Sequence, residues 1–325
     1  MPAKLNICTF ALLMSFSAAG SIGCALSDDA SAPASTDSKK RDIGDPKNLR
    51  PGDVFKDCAD CPEMFVIPKG KFRMGDSSGG TNDWEKPVHK VVFSYQFAVG
   101  KFEVTRGEYK AFVLATSDKW QGGCQHRTKE RWAYNTSMDW SGLSYRQSDR
   151  HPVVCINWEV AKAYVEWLRL RTGREYRLLS GSEWEYVARA GTATKFYFGN
   201  EIRELCEHEN GADLRAKFFT FRNKSCDDGF GNRTSPVGGY PSNPFGVHDM
   251  LGNVSEWVED IWQESFAGAP TDGSAWTKPE EWDRRVIRGG DWTSSPMDMR
   301  ASVRGRNDVL STYDHTGFRV AVTLP

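Results

Sequence analysis

The chain has almost no net charge: 42 lysine and arginine residues are balanced by 43 aspartate and glutamate residues among 325, giving a formal charge of −1. Proteins that bind nucleic acid or anionic lipid through their overall field carry a clear excess of basic residues. The balanced composition therefore excludes that mode of recognition, and no nucleic-acid partner is expected. Any recognition must come from a local site.

The chain also has no apolar run long enough for a mature membrane-spanning helix. The short run ICTFALLMSFSAA follows Lys4 and precedes small residues, as in a secretory signal peptide. We expect residues 1–23 to direct export, with cleavage after Gly20 or directly before Cys24. The sequence SIGC at Cys24 resembles a bacterial lipoprotein box, although Ser21 stands where leucine is usual. The sequence leaves open a periplasmic protein and an envelope-anchored lipoprotein, whose only membrane contact would be the lipid anchor.

Residues 24–50 are small, polar and proline-containing, and they have too little apolar surface to offset the entropy lost on ordering. We expect them to form a disordered tether. Residues 51–325 contain no repeat and no second linker, and their length lies near the upper limit for one hydrophobic core. One folded domain is therefore predicted.

Long periodic segments are scarce in this domain. The segments TRGE at 105–108 and SGSE at 180–183 have the spacing of a capping box, so each predicts the start of a helix. A third helix is predicted at 158–173, where one face is apolar and the segment ends at Gly173. Short β-like runs such as EMFVIP and RVIRGG are separated by long loops. The predicted fold class is α+β with much coil.

Six cysteines follow the tether, an even number that suggests disulfides in an exported chain. They are Cys58, Cys61, Cys124, Cys155, Cys206 and Cys226. Six cysteines allow 15 pairings, which sequence alone cannot separate. The CADC segment has a redox or metal-binding alternative, but zinc would require further ligands close by.

Seven segments resemble, in order, the sulfatase-modifying factor domain family, which includes the formylglycine-generating enzyme. They are CPEMFVIPKGKFRMGD, FEVTRGEY, HPVVCINWEVAKAYVEWL, YRLLSGSEWEYVARAG, NPFGVHDMLGNVSEWVED, RVIRGGDW and GFRVA. The resemblance implies a compact variant of the C-type-lectin-like fold with little regular secondary structure. It also implies disulfides between Cys124 and Cys155 and between Cys206 and Cys226, which leaves Cys58 and Cys61 as a short local bridge.

Bound calcium is the cofactor that the resemblance implies, and irregular loops supply the oxygen ligands that this ion prefers. Carried over by motif, the first site comprises Asn210, Asp228 and the carbonyls of Gly211 and Phe230. The second comprises the carbonyls of Leu251, Gly252 and Val254 with the Glu256 carboxylate. The alternative is that both segments are simply tight turns.

The chain lacks the thiols on which this family's best-known chemistry depends. Formylglycine-generating enzymes carry two cysteines after an RGGS strand, and these soft ligands bind Cu(I). Here the segment is RGGDWTSSPMDMR, the loop positions include Ser294 and Asp298, and no cysteine follows Cys226. A hydroxyl is neither soft nor ionised near neutral pH. No catalytic residue is assigned, and copper is not expected.

The sequence contains no local iron-binding motif either. A second branch of the family uses iron held by a histidine-rich motif, but the six histidines of this chain form no such cluster. Ligands converging from distant loops would still be compatible with the sequence.

The resemblance also implies a peptide-binding groove around the loop positions where the thiols are missing. Five residues match positions that line the peptide-binding cleft of the enzymes: Trp257, Asp291, Trp292, Arg304 and His315. The alternative is that the tryptophans are core residues and that the charged residues brace the loop. A cleft with opposite charges and aromatic rings suits a peptide or a small zwitterion.

Two main functions follow from these observations. The first is an accessory or binding protein of the cell envelope that holds an unidentified polypeptide or small ligand. The second is a divergent periplasmic oxidoreductase of the pyoverdine-maturation type. Genuine formylglycine generation is a third reading, which the missing thiols oppose.

Overall fold

The computed structural model describes residues 44–77, 82–117, 122–128, 131–216, 219–278 and 283–325. The predicted signal peptide, Cys24 and residues 24–43 of the predicted tether lie outside these ranges. The last part of the predicted tether is described. It contains a 3-10 turn, Pro46–Asn48, followed by Leu49, which is buried in the core. The folded domain therefore begins a few residues before position 51.

Four α-helices are present in the described residues, and both predicted capping boxes start one. They are α1 (Arg106–Thr116), α2 (Trp158–Thr172), α3 (Gly181–Arg189) and α4 (Leu205–His208). In both boxes a hydroxyl accepts the third helical N–H, while a glutamate at that position bonds back to the cap. Helix α2 ends at Gly173, whose left-handed φ of 68° suits glycine. None of these helices could cross a bilayer.

The strands are short. They are β1 (Val54–Phe55), β2 (Met64–Ile67), β3 (Gly70–Met74), β4 (His89–Phe93), β5 (Phe97–Gly100), β6 (Cys124–Arg127), β7 (Trp132–Asn135), β8 (Tyr176–Leu178), β9 (Ser255–Ile261), β10 (Arg284–Arg288), β11 (Arg304–Asp308), β12 (Thr316–Phe318) and β13 (Val320–Thr323). Long loops connect many of them, as the α+β prediction with much coil requires.

Two sheets organise these strands. A five-stranded antiparallel sheet has the order β1-β2-β5-β13-β8. A four-stranded sheet has the order β11-β10-β9-β12, in which β12 runs parallel to β9 and the other pairs are antiparallel. Two further hairpins are formed by β3–β4 and β6–β7. The chain passes directly from β12 in one sheet to β13 in the other.

The five-stranded sheet is covered on both faces, which explains its nearly continuous apolar strands. Alternate residues of a strand point to opposite faces. On β13, Val320 and Val322 join a core cluster with side chains of α1 and α2, whereas Ala321 joins a second cluster with α3. Each face therefore buries its own apolar layer.

All three disulfides expected from the resemblance are present. Cys124–Cys155 joins β6 to the segment before α2, Cys206–Cys226 closes the loop after α4, and Cys58–Cys61 closes the short turn between β1 and β2. They brace segments that have little regular secondary structure.

A buried ion pair joins the two sheets. Arg319, between β12 and β13, is fully buried and donates three hydrogen bonds of 2.8–3.2 Å to Glu256 on β9. The same guanidinium donates to the Gly100 carbonyl at the end of β5, at 2.8 Å. Removing one partner of a buried pair typically costs about 3–5 kcal/mol because the other charge is left without compensation.

The Cys124–Cys155 disulfide should contribute measurably to stability. Its separation of 31 residues corresponds to about 4 kcal/mol of unfolded-state entropy, against about 2 kcal/mol for the four-residue ring of Cys58–Cys61. We expect Cys124→Ala/Cys155→Ala to lower the free energy of unfolding in urea by about 3–4 kcal/mol. The Cys58→Ala/Cys61→Ala protein serves as the control and should lose less. Equal losses would contradict this explanation.

Candidate functional site

Three segments meet at one end of the four-stranded sheet. Strand β9 begins at Ser255, His315 immediately precedes β12, and Asp291 follows β10. Parallel pairing places Thr316 opposite Ser255, and the Ser255 N–H donates to the His315 carbonyl at 2.9 Å. The register of β9 and β12 therefore brings these segments together.

The Asp291 carboxylate is buried and fully hydrogen-bonded. One oxygen accepts from the Ser255 hydroxyl at 2.7 Å. The other accepts from the backbone N–H and hydroxyl of Thr293, at 2.8 and 2.6 Å. These bonds fix the carboxylate's direction, so that Asp291 both braces the loop and presents negative charge to its neighbours.

Ser294 and Asp298, the loop positions considered for the missing thiols, have local structural contacts. The Ser294 hydroxyl accepts the Asp291 N–H at 3.1 Å, and its own N–H donates to the Asp291 carbonyl at 2.8 Å. Asp298 is exposed and accepts the Ser295 hydroxyl at 2.7 Å. Every cysteine in the described residues is bonded in a disulfide. A thiolate pair for Cu(I) is therefore not present in this part of the chain.

His315 lies between two carboxylates. Its Nε2 is 3.9 Å from an Asp291 oxygen, and its Nδ1 is 3.4 Å from an Asp314 oxygen. Burial alone lowers the pKa of His315, but the charges of Asp291 and Asp314 outweigh burial and raise the pKa above its ordinary value. The ring can therefore hold a proton near neutral pH and give it to, or take it from, a bound group.

Aromatic side chains surround this histidine. The Trp132 ring lies 4.7 Å from the His315 ring, and the Tyr313 ring lies 5.1 Å from it. Trp132 is 37% exposed, whereas Trp292 is buried with its ring 6.5 Å from His315. The Arg127 guanidinium lies over the Trp132 ring at 5.9 Å. The cluster presents one exposed ring and one cation beside a protonatable histidine.

Several of these neighbours were not found by sequence reasoning. Trp132 and Arg127 lie on the β6–β7 hairpin, far from His315 in the sequence, so no local motif indicated them. Tyr145 also comes from a distant loop, and its hydroxyl donates to the Asp314 carbonyl at 2.5 Å. Asp314 directly precedes His315, and that adjacency was a signal in the sequence.

The structure does not bring all five predicted cleft residues together. Trp257 is fully buried in the core and donates its indole N–H to the Ile156 carbonyl at 3.1 Å. Arg304 donates to the Gln263 carbonyl at 2.8 Å and lies over the Trp262 ring at 4.6 Å. The remaining three, Asp291, Trp292 and His315, form one cluster. Their role in lining a ligand cleft stays a prediction.

The first predicted calcium site contains a buried oxygen without a partner. Asn210 is fully buried, and its Oδ1 accepts no hydrogen bond among the described residues. The neighbouring Asp228 accepts the N–H groups of Gly211 and Phe230 at 3.1 and 2.8 Å. Burial raises the pKa of Asp228 to about 7, and the nearby Asp213 carboxylate adds to the effect.

Carboxylate oxygens of Asp213, Asp227 and Asp228 lie within 4.8 Å of one another. Such a set fits a hard cation.

At the second predicted calcium site, the Glu256 carboxylate already has protein partners. The Glu256 oxygens already bind Arg319 and the Trp184 indole, the latter at 2.8 Å. Unpartnered buried oxygens instead belong to Glu103, Glu209 and Asp249 in the described part of the chain. Burial and the charge of Asp249 raise the pKa of both glutamates well above the usual range.

Sequence reasoning did not identify these three carboxylates. A hard cation beside them would satisfy their charge. Calcium binding by the carbonyls of Leu251, Gly252 and Val254 and by the Glu256 carboxylate stays a prediction.

The family assignment rests on a match across the whole folded region. The model of the sulfatase-modifying factor enzyme 1-like domain matches residues 50–324. The chain belongs to this family. It is 31% identical over 273 residues to the serine/threonine-protein kinase pkn1 of Chlamydia pneumoniae, covering 81% of this chain but 38% of that protein. It is 29% identical to the formylglycine-generating enzyme of Thermomonospora curvata, covering 79% of this chain and 92% of the enzyme.

The solved structure of PvdO from Pseudomonas aeruginosa is similar over its full length. The two chains are 39% identical, the TM-score is 0.74, and the match covers 85% of this chain and 100% of PvdO. The predicted fold, a single compact domain of the formylglycine-generating-enzyme type within the C-type-lectin-like group, is confirmed.

The two neighbouring carboxylates should control the protonation of His315. We expect its pKa, followed by NMR, to lie above the ordinary histidine value and to fall in Asp291→Asn. Because the folded-state pKa is raised, protonation stabilises the fold fully below the unfolded-state pKa, and the effect is lost as pH rises through the folded-state value. Asp298→Asn, in the same loop but exposed, is the control and should leave the titration unchanged. An unchanged pKa in Asp291→Asn would contradict the assignment.

Proposed function

We propose that this protein is an exported, calcium-stabilised binding protein of the cell envelope, which holds a peptide or small ligand in the cleft at His315. The observation that carries the proposal is the composition of the loop after β10. It has Asp291 fixed by hydrogen bonds and a protonatable histidine beside it, and it has no thiol. This is a charged and aromatic binding surface without the ligands of a copper centre.

The charges and rings define the ligand class. The exposed Trp132 ring offers a face for an aromatic or apolar side chain. The Arg127 guanidinium favours an anionic group nearby, and the Asp291 and Asp314 carboxylates beside His315 favour a cationic one. A peptide segment or an amino-acid-derived molecule with a ring and a carboxylate combines these features.

Calcium is proposed as the structural cofactor. The support is the set of buried oxygens without partners on Asn210, Glu103, Glu209 and Asp249, since burying an uncompensated carboxylate is costly. Asn210 and Asp228 would hold one ion with the carbonyls of Gly211 and Phe230. Bound Ca²⁺ supplies charge and fixes the loops. Copper and iron are not proposed, because in the part of the chain that the structure describes every cysteine is bonded in a disulfide and no histidine belongs to the close group of possible metal ligands.

Export is proposed on the signal-like N-terminus and the three disulfides, because such bonds persist in oxidising compartments. The protein would reside in the periplasm, or on the envelope if Cys24 is lipidated. The partner is a polypeptide or small molecule of that compartment.

A second candidate function is periplasmic oxidoreduction of the pyoverdine-maturation type. The observation that favours it is the 39% identity with PvdO over all of that protein. In this case His315 would move a proton at the bound substrate. An oxidase would consume oxygen with its ligand, whereas a binding protein would not.

The binding proposal predicts that Trp132 contributes to ligand retention. We expect wild-type protein to retain a ligand from fractionated periplasmic peptides and metabolites, detected by mass spectrometry after gel filtration. Trp132→Ala should retain about three- to tenfold less, because an aromatic contact contributes about 0.5–1.5 kcal/mol. Trp84→Ala is a matched control, since Trp84 is also 37% exposed but lies next to Trp262. Equal retention by the two variants would contradict a binding site at Trp132.

The calcium proposal predicts that chelation destabilises the fold. At a calcium concentration about 100 times the Kd, the ion adds about 2.7 kcal/mol to the free energy of unfolding. We expect EGTA to lower the Tm of wild type, and Glu209→Gln to reduce the Tm gain on adding calcium. Glu207→Gln, an exposed neighbour, should behave as wild type. A Tm that does not respond to chelation or to added calcium would refute the proposal.

A further inference from the structure

The two cysteines of the Cys58–Cys61 disulfide differ in exposure. It lies in the turn between β1 and β2, where Cys61 is fully buried in the core cluster with α1 and α2. Cys58 is partly exposed and packs at the edge of that cluster. Because Cys61 is inaccessible, an incoming thiol would have to attack the Cys58 sulfur, which sets the direction of any exchange reaction.

A fixed positive charge contacts the accessible sulfur. The Nε–H of Arg171, in the last turn of α2, donates to the Cys58 Sγ at 3.3 Å. The same guanidinium pairs with Asp60 at 3.1 Å and lies over the Trp167 ring at 5.3 Å. These contacts hold the cation at the sulfur. A guanidinium in this position stabilises a thiolate on Cys58 once the disulfide opens.

The other two bridges lack this combination. Cys124 and Cys155 are both fully buried, and the Cys226 sulfur accepts the neutral Asn223 amide at 3.0 Å. Cys58–Cys61 also closes a ring of only four residues, so it contributes least to unfolded-state entropy. It can therefore open at the smallest cost in stability.

We propose that Cys58–Cys61 is an exchangeable disulfide that oxidises a dithiol presented by another molecule. One thiolate of the dithiol attacks the Cys58 sulfur, the bond to Cys61 breaks, and the Cys61 thiolate takes up a proton. The second thiol of the dithiol loses its proton and attacks the mixed disulfide, which releases Cys58 as a thiolate beside Arg171. The dithiol loses two electrons and two protons and becomes a disulfide; one proton ends on Cys61 and the other passes to solvent. The protein gains both electrons and holds Cys61 as a thiol and Cys58 as a thiolate.

The test is an equilibrium of the whole protein with mixtures of reduced and oxidised dithiothreitol. The redox state of each cysteine is read by alkylation and mass spectrometry, and the fold by its Tm. We expect Cys58–Cys61 to be reduced completely while Cys124–Cys155 stays oxidised and the chain stays folded. Reduction of both bridges only together, with unfolding, would overturn the proposal.

The role of Arg171 has its own comparison. Arg171→Met removes the charge that favours the reduced pair, so half-reduction should need a ratio of reduced to oxidised dithiothreitol about three- to tenfold higher. Arg171→Lys should restore part of the difference. Arg169→Met is the control, because Arg169 pairs with Glu166 and Glu175 in the same helix. Identical ratios for the Arg171→Met and Arg169→Met proteins would refute the assigned role.

Discussion

The arrangement of the candidate site depends on the buried pair between Arg319 and Glu256. Arg319 follows β12 and directly precedes β13, so its position fixes how the chain crosses from one sheet to the other. Glu256 follows Ser255 on β9, and the bonds between the two charges hold β12 against β9. The segment that carries His315 is therefore held next to the strand whose first hydroxyl binds Asp291.

The Arg319–Glu256 pair positions the loop after β10, but that loop does not contain the thiols on which the family's copper chemistry depends. The loop after β10 contacts β9 through Asp291, and its remaining residues contribute hydroxyls and backbone bonds. The charge of the site now comes from His315, two carboxylates and the nearby Arg127. Proton exchange and ionic recognition suit such a group, whereas a soft metal requires sulfur.

Local sequence signals predicted α1 and α3, because a capping box is complete within four residues and needs no tertiary partner. An apolar face predicted α2, whereas the short helix α4 was not predicted. The three disulfides and the fold followed from the family's ordered motifs. The site was only partly predictable. Trp132 reaches His315 through the pairing of β6 with β7, and Glu103 and Glu209 become neighbours of Asp249 only in the folded chain. Such contacts depend on tertiary structure, which a linear motif does not encode. Arg304 shows the reverse case, since it was predicted to line the cleft but its side chain packs against Trp262.

The candidate site is proposed to act through His315 and its neighbouring carboxylates, without a copper centre. The most direct measurement is an anaerobic titration of the disulfide-intact protein with Cu(I) in competition with a chromophoric chelator. We expect the chelator to take all of the copper from the protein. Retention of one Cu(I) per chain, lost on substitution in the Asp291 loop and coupled to oxidation of a thiol substrate, would contradict it.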